Sequence, residues 1–284
     1  MRRIKNPIGI MQGRLSPPVA GKIQAFPTEA WIDEFGLARE VGFDCIEWVY
    51  EKETENTNPL KDNVGIARVD ELAAKSGVAV WSVCADFYMR ERLVTVHGIP
   101  DRENIEHLKS LIERCNRLGV RYIVLPFVDS SSLRSTAEVS GLIKMLESTL
   151  PTSEKYGVEL HLETDLQPDE LKKIFERIRS PKLKANYDIG NSASLGRDPS
   201  EELTSVGPWL GSVHVKDRLL GGGTVALGSG QADFPSCFHF IKSAGFKGPF
   251  VLQAARDESI SEVELARKNK QFIEKHLETL ESDV

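Results

Sequence analysis

The chain has 284 residues, of which 40% are hydrophobic and 27% charged, and its formal net charge is −6. These values are typical of a globular protein in water and disfavour a disordered or a membrane-spanning chain. A negatively charged chain also lacks the basic surface that a phosphate backbone usually requires, so we expect no nucleic-acid partner.

A repeated junction organises the chain: an amphipathic helix ends at a glycine, and a β-branched or aromatic residue opens the next strand. Glycine suits the left-handed backbone position that closes a helix. The junction occurs at Gly42-Phe43, Gly77-Val78, Gly119-Val120, Gly157-Val158 and Gly245-Phe246. The spacing of the first four junctions is that of one strand–helix unit, which indicates a repeated architecture.

Eight short segments rich in valine, isoleucine and aromatic residues are predicted to be strands. They are Ile8–Met11, Cys45–Val49, Val78–Cys84, Tyr122–Phe127, Val158–Leu162, Leu183–Tyr187, Ser212–Val215 and Pro249–Leu252. Strands that alternate with helices pair in parallel through right-handed crossovers, and eight such units favour a closed barrel over an open sheet. We therefore predict an α/β fold, a single (β/α)8 TIM barrel, with one domain over residues 1–284.

Other patterns restrict the alternatives. The segment Ile8–Arg14 lacks the G-x-G-x-x-G pattern of a dinucleotide-binding turn. The basic start Met1–Lys5 is not followed by an apolar run of secretory length, and no segment is long enough to span a membrane. We therefore expect a cytoplasmic protein. The four cysteines are far apart and form no Cys-x-x-Cys pair, so reduced, buried thiols are expected.

Polar residues stand at the ends of the four late strands, where a parallel barrel builds its active site. They are Glu163, Asp188, His214 and Gln253. Each is separated from the next by about one strand–helix unit, so we expect them to converge. Two carboxylates and an imidazole suit Mn²⁺, Mg²⁺, Co²⁺ or Zn²⁺. One acidic residue at a strand end more often caps a helix or pairs with a cation, but four aligned positions favour a divalent-metal site.

At these residues the sequence resembles the xylose isomerase-like TIM barrel family, which contains sugar phosphate isomerases and epimerases and is related to endonuclease IV. The resemblance covers essentially the whole chain. Its most specific segments are His214-Val215-Lys216-Asp217 and the loop Leu227–Phe234, which is similar to a Leu-Gly-x-Gly-x-x-Asp-Phe pattern. The resemblance implies a metal held by Glu163, Asp188 and His214.

The chain departs from the family pattern at two positions. Gln253 stands where the family usually has a glutamate, and Asn191 stands where many relatives have histidine. A glutamine oxygen can coordinate a hard cation, but the amide is neutral and accepts no catalytic proton. Gln253 is therefore expected to be a weak fourth ligand or a hydrogen-bond partner of the substrate.

The resemblance implies an isomerase or epimerase of a sugar or sugar phosphate. The expected chemistry is metal-assisted proton abstraction next to a carbonyl through an enediolate, with Glu163 as the general base. Lys216 and Asp217 are candidates to orient substrate hydroxyls, and a solvated loop pair is the alternative. Arg14 and Arg256 are candidates to bind a substrate anion, although a surface arginine is the ordinary interpretation.

Three other functions stay open at this point. A metal-dependent dehydratase or lyase acting on a polyhydroxy acid needs only one base, so Gln253 would be less of an obstacle. A nuclease like endonuclease IV would need more metal ligands and a basic groove. A catalytically silent barrel that binds a sugar or a partner protein is motivated by Gln253 itself. Barrels of this type often pair, but no sequence feature identifies an interface, so a homo-oligomer also stays open.

Overall fold

The computed structural model describes residues 6–282, and its central element is a closed barrel of eight parallel strands. The strand order around the barrel is β1-β10-β7-β6-β5-β4-β3-β2. The barrel strands are β1 (Ile8–Met11), β2 (Cys45–Val49), β3 (Ala79–Cys84), β4 (Tyr122–Phe127), β5 (Glu159–Thr164), β6 (Leu183–Asp188), β7 (Leu210–Val215) and β10 (Phe250–Leu252). A separate antiparallel ribbon pairs β8 (Asp217–Arg218) with β9 (Thr224–Val225).

Helices follow the strands, as an α/β barrel requires. They are α1 (Asp33–Val41), α2 (Asn63–Ser76), α3 (Phe87–Arg90), α4 (Arg102–Arg117), α5 (Thr136–Tyr156), α6 (Pro168–Ile178), α7 (Ile189–Ser194), α8 (Pro199–Val206), α9 (Phe234–Ser243) and α10 (Glu262–Ser282). Short 3₁₀ turns occupy Val19–Gly21, Pro59–Lys61, Asp129–Ser131 and Gly207–Trp209. The predicted (β/α)8 barrel is confirmed.

The predicted strands all occur, with small differences at their ends. The last strand begins at Phe250 rather than at Pro249, because proline has no N–H for the ladder. β5 continues to Thr164 and therefore contains Glu163. The five predicted junction glycines all have positive φ between 74° and 83°, which confirms the left-handed backbone position predicted at the end of each helix.

The chain has two densely connected groups of residues. One group runs from Glu47 to Ala185, and the other comprises the chain before and after it. Within the first group, β4 and β5 pair along their full lengths, from Tyr122 opposite Glu159 to Phe127 opposite Thr164. The prediction of one domain stays a prediction.

The second group carries most of the predicted site residues. Val251 of β10 lies opposite His214 of β7, and Leu252 lies opposite Val215. On its other side β10 pairs with β1, with Val251 opposite Gly9. This register brings the chain after β1, after β7 and after β10 to neighbouring positions. Across residues 6–282, no helix combines the length and apolar character needed to cross a membrane.

Candidate metal and active site

Three of the predicted ligands come together. Glu163, Asp188 and His214 are buried, and each offers one ligand atom within 4.8 Å of the other two. Glu163 is the penultimate residue of β5, Asp188 ends β6, and His214 is the penultimate residue of β7. Two carboxylate oxygens and one imidazole nitrogen at this separation form a donor set that fits a divalent cation.

Asp188 has two functions in the local structure. Its Oδ1 accepts a hydrogen bond of 2.8 Å from the Asn191 backbone N–H and so caps α7. Its Oδ2 lies 2.8 Å from Lys216 Nζ and 3.7 Å from His214 Nδ1. Burial would raise the pKa of Asp188, but the neighbouring Lys216 and His214 outweigh burial and lower it. The carboxylate is therefore ionised, which is the form that binds a cation.

A hydrogen-bond chain orients His214. Ser212 Oγ donates to Asn186 Oδ1 at 2.7 Å, and Asn186 Nδ2 lies 3.2 Å from His214 Nδ1. In this arrangement the amide donates to Nδ1, so a neutral ring carries its proton on Nε2. Nδ1 is also the ring nitrogen nearest Asp188, with 3.7 Å between Nδ1 and Asp188 Oδ2. Because the single lone pair of Nδ1 accepts from the amide here, ligation of a cation through Nδ1 would replace this hydrogen bond.

Gln253, the predicted fourth residue, follows β10 directly and is 8% exposed. Its backbone N–H donates to the Val215 carbonyl at 3.0 Å. Its side-chain Nε2 donates to Gln24 Oε1 at 2.8 Å. Its Oε1 is buried and has no hydrogen-bond partner among the described residues 6–282. The structure therefore leaves one neutral oxygen unpaired at this strand end.

Arg14 and Arg256, the two predicted anion-binding residues, bridge the loops after β1 and β10. Arg14 Nε donates to the Ala254 carbonyl at 3.1 Å. In the opposite direction, Arg256 donates to the Ser16 carbonyl at 2.9 Å and to the Gly13 carbonyl at 2.5 Å. These contacts favour a structural role for both guanidinium groups, and their binding to a substrate stays a prediction.

Asp217, predicted to orient substrate hydroxyls, organises the loop that follows the β8–β9 ribbon. Its carboxylate accepts three backbone hydrogen bonds, from Gly228 at 2.9 Å, Gly230 at 2.8 Å and Ala232 at 3.1 Å. A Cβ at Gly230 would lie 2.3 Å from Asp217 Oδ1, which explains the glycine. These three contacts favour a structural role for Asp217, so its contact with substrate stays a prediction.

Glu34, which the sequence analysis did not single out, plays a similar part for the loop after β1. It is 1% exposed and accepts hydrogen bonds from Gly13 N, Leu15 N and Ser16 Oγ. Burial raises its pKa to about 6, although the hydrogen bonds lower it. In the sequence Glu34 looks like an ordinary acidic residue in the first turn of a helix, so no local signal identifies it.

The sequence analysis also did not identify Asn186 and Ser212 as site residues, although their positions in the strands could have indicated them. Each stands two residues before a predicted ligand, Asp188 and His214 respectively. Alternate residues of a strand share a face, so both were predictable as neighbours on the ligand-bearing side. Gln24, by contrast, lies in an irregular loop whose path the sequence does not predict.

Comparison with known families agrees with this geometry. The family model described as "Xylose isomerase-like TIM barrel" matches residues 35–276. The chain belongs to this family. A curated member, L-ribulose-5-phosphate 3-epimerase UlaE of Shigella flexneri, is 26% identical over 237 residues, which cover 79% of this chain and 82% of the relative. The resemblance seen in the sequence is thereby confirmed.

Solved structures of other proteins share the fold. The IOLI protein, described with a bound zinc atom, has a TM-score of 0.75 at 17% identity and covers 96% of this chain and 98% of its own. L-ribulose 3-epimerase has a TM-score of 0.72 at 19% identity and covers 98% of this chain and 96% of its own.

Proposed function

We propose that this protein is a metal-dependent isomerase or epimerase that acts on a sugar or a sugar phosphate through an enediolate intermediate. The observation that carries the proposal is the convergence of Glu163, Asp188 and His214 within 4.8 Å in a member of this family. The name of the curated relative, a ribulose-phosphate epimerase, supports a carbohydrate substrate.

In the proposed reaction, Glu163, Asp188 and His214 hold a divalent cation, with Gln253 as the fourth ligand. The cation would supply Lewis-acid polarisation of the substrate oxygens. Glu163 is also the proposed base: it takes the proton from the carbon next to the carbonyl and delivers it to the adjacent carbon of the enediolate, which interconverts an aldose and a ketose. Inversion at one carbon would need a second proton donor on the opposite face of the enediolate. Gln253 cannot act as a second base because a neutral amide accepts no proton. Glu163 is therefore the single base of the site.

The proposed substrate site is the mouth of the barrel at Glu163, Asp188, His214 and Gln253. A cavity of about 630 Å³ lies nearby, between the end of β10 and α10, and is lined by Leu252, Ala254, Arg14 and Arg256 but by none of those four residues. We propose that the bound species is a small sugar or sugar phosphate and that the protein acts in the cytoplasm, where its four buried cysteines would stay reduced.

Solvent-deuterium incorporation tests the proposal. The protein would be loaded with Mn²⁺ and incubated in D₂O with a panel of ketoses, aldoses and their phosphates, and exchange at carbon would be followed by NMR. Exchange in the parent should fall by about 10²–10⁴ in Glu163→Gln, the usual contribution of a general base. Lys173→Gln, an exposed change on α6, is the control and should leave the rate unchanged.

A second candidate function is favoured by Gln253. A dehydratase or lyase acting on a polyhydroxy acid needs one base only, as Glu163 can provide. Release of water with an unsaturated product, and no exchange next to a carbonyl on the sugar panel, would favour this reaction and contradict the isomerase proposal. If Glu163→Gln changed neither reaction, a catalytically silent, sugar-binding barrel would be favoured.

A further inference from the structure

We propose that Arg14 and Gln24 are positioning residues that determine which end of the Gln253 amide faces the site, so that Gln253 presents its carbonyl oxygen to the divalent cation. This inference rests on the metal site of the proposed function. It goes beyond that function because it assigns roles to two side chains outside the ligand set, and because it explains how a glutamine can serve at this position.

The first step is the fixed position of Arg14. Its side chain is 8% exposed, its Nε donates to the Ala254 carbonyl at 3.1 Å, and its Nη1 donates to the Ile23 carbonyl. The remaining nitrogen, Nη2, lies 3.4 Å from Gln24 Oε1. A guanidinium group has five donors and no acceptor. The Gln24 atom that faces Arg14 must therefore be the oxygen.

The second step uses the orientation of the Gln24 amide to assign the orientation of the Gln253 amide. The same Gln24 oxygen lies 2.8 Å from the Gln253 side chain. An oxygen that only accepts must meet a donor there, so the Gln253 atom facing Gln24 is Nε2. The side-chain carbonyl oxygen of Gln253 consequently points away from Gln24. The assignment follows from the donors of Arg14 and involves no ligand.

The third step concerns what the Gln253 oxygen faces. It is buried and unpaired among residues 6–282, and a buried acceptor without a partner is unfavourable. Val251 lies opposite His214, and opposite residues of parallel strands share a face, as do residues two apart. Gln253 therefore projects on the same face of the sheet as His214, the imidazole ligand of the proposed metal site.

The consequence is a neutral oxygen ligand with a fixed orientation. Amide carbonyl oxygens are accepted ligands of hard cations. An inverted amide would direct two N–H donors at the cation and would repel it. Without Gln24 the amide loses the contact that distinguishes its two ends. Removal of Gln24 should therefore weaken the binding of metal although Gln24 is not itself a ligand.

The experiment measures Mn²⁺ affinity by titration calorimetry, with no substrate present. Gln24→Met keeps the length of the side chain but removes the acceptor, and Gln24→Glu keeps an acceptor for both Arg14 and Gln253. We expect the dissociation constant to rise about tenfold in Gln24→Met, as is usual for residues that orient a ligand, and to stay within about threefold of the parent in Gln24→Glu. Circular dichroism of each variant verifies folding.

A double-mutant cycle separates positioning from a general effect on the loop. In Gln253→Leu the amide is absent, so adding Gln24→Met should change the Mn²⁺ affinity by less than about twofold. An equal tenfold loss in both backgrounds, an unchanged affinity in Gln24→Met, or a parent that binds no Mn²⁺ would each overturn the inference. The proposed function is judged separately by deuterium exchange, so failure of one proposal is distinguishable from failure of the other.

Discussion

The ammonium group of Lys216 lies 2.8 Å from Asp188 Oδ2, so a protein cation is paired with one of the three side chains that are proposed to hold a metal. The Lys216 side chain is 12% exposed and that of Asp188 is 2% exposed. Gly190 accommodates the lysine stem, because a Cβ at this glycine would lie 2.4 Å from Lys216 Cγ. Two features of the chain therefore support this ion pair: the lysine at position 216 and the glycine at position 190 that leaves room for its side chain.

Lys216 should oppose metal binding. Because like charges repel, Lys216→Met should lower the Mn²⁺ dissociation constant by about fivefold or more, which corresponds to roughly 1 kcal/mol of relieved repulsion. Lys216→Arg keeps the charge and the stem and should stay close to the parent. Calorimetric titration of the three proteins checks this prediction, and weaker binding by Lys216→Met would contradict it.

The Asn186 amide should control the protonation of His214. In Asn186→Asp a carboxylate replaces the N–H donor, so the ring proton should move from Nε2 to Nδ1. The ¹⁵N shifts of the imidazole report this change directly. Asn186→Leu offers no acceptor and should not protonate Nδ1. Identical imidazole shifts in the parent and in Asn186→Asp would refute the prediction.

Asp217 should contribute more to stability than to substrate binding. Its replacement by alanine leaves three backbone N–H groups without their acceptor, so we expect Asp217→Ala to lower the free energy of unfolding by about 2–4 kcal/mol. Gly230→Ala should also destabilise the loop, because its Cβ would collide with the Asp217 carboxylate. Ser229 is exposed in the same loop, so Ser229→Ala serves as the control and should change the free energy of unfolding by less than about 0.5 kcal/mol. Urea denaturation measures all three.

Much of the barrel was predictable because its signals are local. β1, β2 and β4 have the predicted bounds, and the junction glycines adopt the predicted left-handed conformation. Hydrophobic runs and helix-closing glycines depend on neighbouring residues, so the sequence contains them directly. The positions of Glu163, Asp188 and His214 followed from strand order, because the carboxyl ends of parallel strands meet on one side of a barrel.

The roles of Arg14, Arg256 and Asp217 were harder to predict. Arg14 and Arg256 donate to carbonyls about 240 residues away in the chain, and no periodicity reveals such partners. Asp217 follows the predicted strand end closely enough to suggest a substrate contact, yet its acceptors are occupied by a glycine-rich loop. A predicted position at the barrel mouth therefore does not determine whether a charged group faces the substrate or a neighbouring loop.

Glu34 should make stability depend on pH. Its pKa in the folded protein, about 6, lies above the ordinary value of 4.5, chiefly because of burial. The fold thus favours the protonated carboxyl, and this contribution is fully present below pH 4.5 and is lost as the pH rises through 6. Relative to Glu34→Gln, which does not titrate, the parent should lose about 2 kcal/mol of stability between pH 4.5 and 7.5.

Urea denaturation across this pH range measures the difference in unfolding free energy between the parent and Glu34→Gln. The other carboxyl groups contribute equally to both proteins, so their contributions cancel in this difference. Ser16 Oγ donates to Glu34 and lowers its pKa. Ser16→Ala should therefore move the pH-dependent loss of stability to higher pH, because the carboxylate form would have one donor fewer. A difference between the parent and Glu34→Gln that stays constant from pH 4.5 to 7.5 would show that burial of Glu34 is not linked to its protonation.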